Sequence, residues 1–185
     1  MSILPIVHEP KSVLREAAKD IERDDMKGVR IQRLIRDMKD TLRAAHDGVG
    51  LAAPQVGEDV RLFIVSDEAE EIDRARMQER RRGVSHAEIP QTKEKPYPLR
   101  EWKYYVFINP RVITKSRKKI DGPEGCLSVP DVFGNIKRHE KITVQAYDEQ
   151  GKKFTRGASQ FFARVLQHEL DHLEGTLFID HATHL

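Results

Sequence analysis

The chain has 185 residues, enough for one domain with a buried core, and 34% charged against 6% aromatic residues describes a well-solvated surface. Thirty-two lysines and arginines against 30 aspartates and glutamates leave a formal charge of +2, without the clustered basic excess that DNA binding as a main task requires. The single cysteine excludes an internal disulfide and suits a reducing compartment. The opening MSILPIVHEP has no basic lead, and Pro5 and His8 cut its apolar run, so neither a signal peptide nor a membrane span is expected. The expected location is the cytoplasm, with an organelle reached through a removed presequence as the alternative.

Residues 1–24 read as an irregular lead-in with a short helical piece around Leu14 to Ala18. From Met26 to His46 the apolar residues Ile31, Leu34, Ile35, Met38, Leu42 and Ala45 recur at three- and four-residue steps, which predicts an amphipathic helix stopped by Gly48. The small-residue stretch Gly48 to Gln55 leads into a strand over Val60 to Val65. A second apolar run, Tyr104 to Ile108, stops at Asn109-Pro110, and Arg111 to Lys115 forms another strand. Asp121 to Pro130, rich in Gly and Pro, reads as the loop that carries Cys126.

Lys141 to Tyr147 alternates apolar and polar residues, Asp148 to Gly151 turns the chain, and Lys152 to Thr155 returns it, which is a hairpin. Ser159 is placed to cap a helix over Gln160 to Leu173, and Gly175 to end it. Helices and strands are segregated and the strands favour hairpins, so the expected class is α+β.

Residues 67–103 are long, polar and blocky in charge. Glu68, Glu70, Glu71 and Asp73 precede Arg74, Arg76, Arg80, Arg81 and Arg82. The first part is expected as an exposed helix supported by pairs such as Glu70 with Arg74, and the part holding Pro90, Pro96 and Pro98 as a loop. A solvated insertion is the plain reading, and contact with ribosomal RNA through the arginines is the sharper one.

The most specific feature is His168-Glu169-Leu170-Asp171-His172. On a helix, His168 and His172 stand one turn apart on one face and can grip a divalent metal, with Glu169 beside them to move protons. A chance pair of buried histidines is the alternative, which the accompanying Glu makes less attractive. A zinc endopeptidase would need a further ligand downstream. Position 178, where one such pattern has its third His, is Phe178, and Glu174 is on the wrong face; His181 and His184 remain. An upstream ligand is needed, and Cys126 within Glu124-Gly125-Cys126-Leu127-Ser128 supplies it, since a thiolate is a strong ligand and Gly125 permits close approach.

Three motifs, Gly48 to Gln55, Glu124 to Ser128 and His168 to His172, stand in this order and together resemble those of the peptide deformylase family. The likeness extends through Phe107-Ile108-Asn109-Pro110 and Leu173-Glu174-Gly175. It implies one catalytic domain over residues 1–185 with 67–103 as a polar insertion, and antiparallel or mixed sheets packed around a central HExxH helix. It implies Cys126, His168 and His172 as metal ligands, with Fe²⁺ used in the cell and Zn²⁺ or Ni²⁺ as substitutes. Glu169 would be the general base. The Gln55 amide and the Leu127 N–H would stabilise the oxyanion.

Val49, Gly50, Gly125 and Leu127 would border the substrate, while Val165, Phe161 and Phe133 would wall a methionine pocket. Glu124, paired with Arg138, would brace the cysteine. The implied substrates are N-formylmethionyl nascent peptides. A transient ribosome contact, no DNA or membrane partner, and a monomer or weak dimer complete the expectation. The chain ends soon after Asp180, so the long C-terminal helix of some members is not expected.

Overall fold

The structure is a computed structural model that describes residues 2–45, 48–81, 101 and 103–183. The 26–46 periodicity resolves into a 3-10 turn, Asp25–Lys27, and helix α1, Val29–Ala44. The backbone is already extended at Ala45, so α1 stops ahead of Gly48, and His46 lies outside the described residues. The lead-in forms a 3-10 turn at Ser12–Leu14, ahead of the position expected.

Strands β1 (Gly50–Ala52), β2 (Leu62–Ser66) and β3 (Tyr104–Lys115) follow, with helix α2 (Glu68–Arg81) between β2 and β3. Then come β4 (Lys119–Ile120), β5 (Pro123–Cys126), β6 (Val129–Asn135) and β7 (Arg138–His139). The hairpin of β8 (Lys141–Tyr147) and β9 (Lys153–Ser159) runs into helix α3, Gln160–Leu173. The strands pair antiparallel in a five-stranded sheet of order β1-β2-β3-β8-β9 and in two smaller pairs, β4 with β7 and β5 with β6. The class is α+β.

Alternation along the strands divides the core. Leu62, Ile64, Val106 and Ile108 pack with Ile31, Leu34, Ile35 and Met38 of α1. Phe63, Val65, Phe107, Val144 and Ala146 pack on the other face with Phe162, Ala163, Leu166, Leu170 and Leu173 of α3. Phe63 and Phe107 stack at 4.7 Å between ring centroids. Each such fully buried side chain contributes roughly 1.5–3 kcal/mol. Helix α3 is thus fixed against a rigid sheet through one apolar stripe.

Three expectations need correction. Asn109-Pro110 does not break β3 in two. A register shift between Ile108 and Arg111 absorbs the proline, with Asn109 at φ 47°, and the Asn109 side chain pairs with the N–H and C=O of Ile21 at 2.9 and 2.8 Å. The Cys126 segment is not a loop: β5 pairs with β6 over Pro123 to Cys126.

Ser159, held in the β9 ladder opposite Lys141, makes no capping bond. Asp73 of α2 caps α3 instead, its two oxygens accepting from the N–H groups of Phe161 and Phe162, each at 3.0 Å. At the other end Gly175, at φ 69°, closes a Schellman turn. Its N–H meets the His172 carbonyl at 3.2 Å, and Thr176 N–H meets that of Asp171 at 2.9 Å.

Helix α2 is therefore not a solvated decoration. Ala69 is fully buried and Glu68 nearly so. Glu70 meets Arg156 and the Tyr105 hydroxyl, and Arg76 lies over the Phe161 ring at 4.8 Å. The expected Glu70–Arg74 pair forms at 3.7 Å, with Glu71 the nearer partner of Arg74. Residues 82–100 lie outside the described residues, as does the proline-bearing loop placed there.

Asp73→Ala is expected to lower stability by about 1 kcal/mol through loss of the cap, a shift of roughly 2–4 °C in Tm for a chain of this size, with metal content unchanged. Thermal melting monitored by circular dichroism checks it.

Candidate metal centre

Helix α3 presents Phe161, Arg164, Val165, His168 and His172 along one side because they recur at three- and four-residue spacing. Strand β5 brings Cys126 towards that side. The ligand atoms of Cys126, His168 and His172 lie within 4.8 Å of one another, the one such grouping of metal-ligating side chains among the described residues. Cys126 Sγ is 3.2 Å from His172 Nε2. His168 uses Nδ1 for Glu124 Oε2 at 2.9 Å, which leaves Nε2 for the centre. Among the described residues the cluster holds no downstream ligand of an endopeptidase: Glu174 pairs with Arg61, and His181 lines a different groove, while His184 lies outside the described residues.

The donor chemistry fits a borderline divalent cation, since one thiolate and two imidazoles form a common set. Burial, then the positive neighbours His168 and Arg138, push His172 well below its ordinary pKa, which keeps it in the neutral form that ligates. Burial opposes a charge on His168 too, but Cys126 and Glu124 outweigh it and hold that pKa well above the ordinary value. A cation bound there would displace that proton. His172 Nδ1, buried, has no hydrogen-bond partner among the described residues.

Glu169 is 3% exposed and its Oε2 has no hydrogen-bond partner among the described residues. Burial pushes its pKa up to about 7. Gly50 makes room for it: a Cβ at that position would stand 2.3 Å from Glu169 Oε1. Gln55 is 2% exposed and held at both ends of its amide. Its Oε1 accepts from Ala52 N–H at 2.9 Å, and its Nε2 donates to Cys126 Sγ at 3.4 Å and Ser128 Oγ at 3.3 Å.

These groups open into a cavity of about 410 Å³. Val49, Gly50, Gln55 and Leu127 line it with Glu124, Gly125 and Cys126, and α3 adds Phe161, Val165, His168 and Glu169. His172, only 1% exposed, lies behind the others and outside the lining. Phe133 also lines the cavity. It is 68% exposed and sits at the rim, its ring lying over Gly125, where a Cβ would come within 2.7 Å.

Two participants were not expected. Ser128 donates its N–H to Cys126 Sγ at 3.4 Å and receives Gln55. Arg164, which the sequence did not single out, is 5% exposed and bonds Glu124 Oε1 at 2.9 Å. Its spacing of four from His168 was the available signal. Glu124 also takes a bidentate pair from Arg138, both contacts at 2.9 Å, so this is a buried pair and not a surface salt bridge. Burial raises the Glu124 pKa, but the bonds from Arg138 and His168 win and hold it at about 2. It therefore stays ionised and keeps its grip on His168 at any pH near neutrality.

A family model described as polypeptide deformylase matches residues 3–185 of the chain. The chain belongs to the polypeptide deformylase family. It is therefore an enzyme of a metal-using family that removes the N-formyl group from nascent polypeptides. The chain is 38% identical over 185 residues to the peptide deformylase of Symbiobacterium thermophilum, spanning 100% of the chain and 69% of that protein. It is 40% identical over 182 residues to that of Christiangramia forsetii, spanning 96% and 81%. Among solved structures, the Ehrlichia chaffeensis peptide deformylase in complex with actinonin superposes with a TM-score of 0.75 at 33% identity, over 99% of the chain and 90% of that structure. No helix among the described residues is long and apolar enough to cross a membrane.

Proposed function

We propose that Cys126, His168 and His172 hold one divalent metal and that Glu169 runs the proton traffic of formyl hydrolysis beside it. The observation that carries this is the convergence of the three ligand atoms with a buried, partner-poor carboxylate on the wall of the same cavity. When bound, the metal supplies Lewis-acid activation of water and of the formyl oxygen. The ligand set suits several ions, and Fe²⁺ is assigned as the native one, with Zn²⁺ or Ni²⁺ as substitutes.

The chain's own residues do the rest. Glu169, with a pKa near 7, takes a proton from the attacking water. The water oxygen bonds to the formyl carbon, and negative charge grows on the formyl oxygen. The Gln55 amide and the Leu127 N–H donate to that charge, and a single such donor is commonly worth about 3 kcal/mol of barrier. The carbon–nitrogen bond then breaks, Glu169 returns its proton to the departing amine, and formate leaves. Val49, Gly50 and Gly125 border the peptide backbone, and Phe161 and Val165 wall the first side chain.

The substrate class is N-formylmethionyl nascent peptides, met in the cytoplasm, by a chain that forms one catalytic domain with 67–103 as an insertion. The arginine-rich segment is the candidate for a transient ribosome contact; Arg74 and Arg76 are already engaged by Glu70, Glu71 and Phe161, and the side chains of Arg80, Arg81 and Arg82 lie outside those described. The test is formate release from formyl-Met-Ala by protein carrying one metal per chain. Metal-loaded protein that releases no formate would overturn the reading, and cleavage of unblocked internal peptide bonds would point to an endopeptidase.

A further inference from the structure

The three candidate ligands stand on elements that share no sheet. Helix α3, with both histidines, packs on the five-stranded sheet, while Cys126 belongs to the separate β5–β6 pair. No ladder of backbone hydrogen bonds sets the distance from the sulfur to the imidazoles, so side chains must do it. Arg138, from β7 in the third sheet, bonds Glu124 and Asp171. Arg164 acts from α3 itself, one turn before His168.

Its Nη1 donates to Glu124 Oε1 at 2.9 Å, to the Gly122 carbonyl at 3.0 Å and to the Ile136 carbonyl at 2.9 Å. Its Nη2 donates to the Ile120 carbonyl at 3.0 Å. These acceptors lie at the end of β4 (Ile120), just before β5 (Gly122), within it (Glu124) and just after its partner β6 (Ile136). Gly122 clears the way, since a Cβ there would stand 3.0 Å from Nη2. A rigid planar fork can hold several fixed acceptors at once; a flexible ammonium cannot.

Each Glu124 oxygen then has two donors. Oε1 receives Arg138 Nε and Arg164 Nη1, and Oε2 receives Arg138 Nη2 and His168 Nδ1. The carboxylate cannot turn without breaking a charge-assisted bond. An arginine kept only for stability would be a poor choice here, because an apolar side chain of similar volume often serves a buried site as well. What an apolar residue could not do is orient Glu124.

We propose that Arg164 is a positioning residue for the metal centre, fastening the histidine helix to the cysteine strand and fixing the carboxylate that aims His168. This rests on Cys126, His168 and His172 being the ligands. Partners of this kind, behind a ligand, commonly control metal affinity by 10–100-fold.

The test measures release of Ni²⁺ from loaded protein into excess chelator, which needs no turnover, alongside thermal melting. Arg164→Met is expected to release metal at least about ten-fold faster than the unmodified protein, and Arg164→Lys to fall between them. Release from Arg164→Met at the unmodified rate overturns the proposal, and does so even if its melting temperature drops, because the arginine would then be a stabilising element only. If Arg164→Met does not fold, Arg164→Lys decides, since it keeps the charge and loses the fork: faster release supports positioning and unchanged release refutes it. Failure of the unmodified protein to take up one Ni²⁺ per chain removes the ligand reading itself and the inference with it.

Discussion

Glu169→Ala is expected to keep one metal per chain and to lose turnover by about 10²–10⁴-fold, the usual contribution of a positioned general acid–base group. Glu169 does not belong to the cluster of ligand atoms, so its removal leaves the metal's protein ligands intact. Nor should the fold suffer. Glu169 is buried with one oxygen unpartnered, a costly arrangement that stability alone would not keep. The melting temperature of the variant should equal or exceed that of the unmodified chain. Its environment explains why a carboxylate serves here: burial lifts it to about pKa 7, where it can both accept and return a proton. Metal analysis, melting and formate release on one preparation check the three parts. Activity within a few-fold of the unmodified chain would assign the base elsewhere.

What could be read from the letters, and what could not, follows the range of the interactions. Helix α3 was legible because its apolar stripe and its two histidines share one local period, and the Gly175 stop needs only its own φ. The candidate metal triad was legible as composition and motif, not as distance. The pairing of β5 with β6 was hidden, because Gly and Pro at 121–130 carry weak strand propensity and the pairing depends on a partner the sequence does not name. Asp73 was hidden for a related reason: it caps a helix 88 residues away, where the local candidate Ser159 was available and not used. Arg164 was hidden as well, because the carboxylate that gives it a role, Glu124, lies 40 residues upstream. Phe133 was legible as a pocket wall from its nearness to the cysteine, but its place at the rim, set by strand alternation, was not.

Cys126→Ser is expected to lose both metal and activity while keeping the fold, the opposite split from Glu169→Ala. A hydroxyl is a far weaker ligand than a thiolate for a borderline ion, and two imidazoles alone do not complete a site. Retention of at most about a tenth of a metal equivalent after brief dialysis against chelator is the expected reading, with formate release falling in proportion; this follows from the share of affinity that one strong thiolate carries. The serine fits the space, and the polar neighbours remain satisfied, since Gln55 Nε2 still has Ser128 Oγ at 3.3 Å. His172→Ala would be a poorer test. That ring is 1% exposed, so its loss opens a cavity and mixes unfolding with metal loss. Stoichiometric metal in Cys126→Ser would show that the sulfur is a bystander. The two variants together separate holding the cation from moving the proton, because one removes an atom inside the triad and the other an atom outside it.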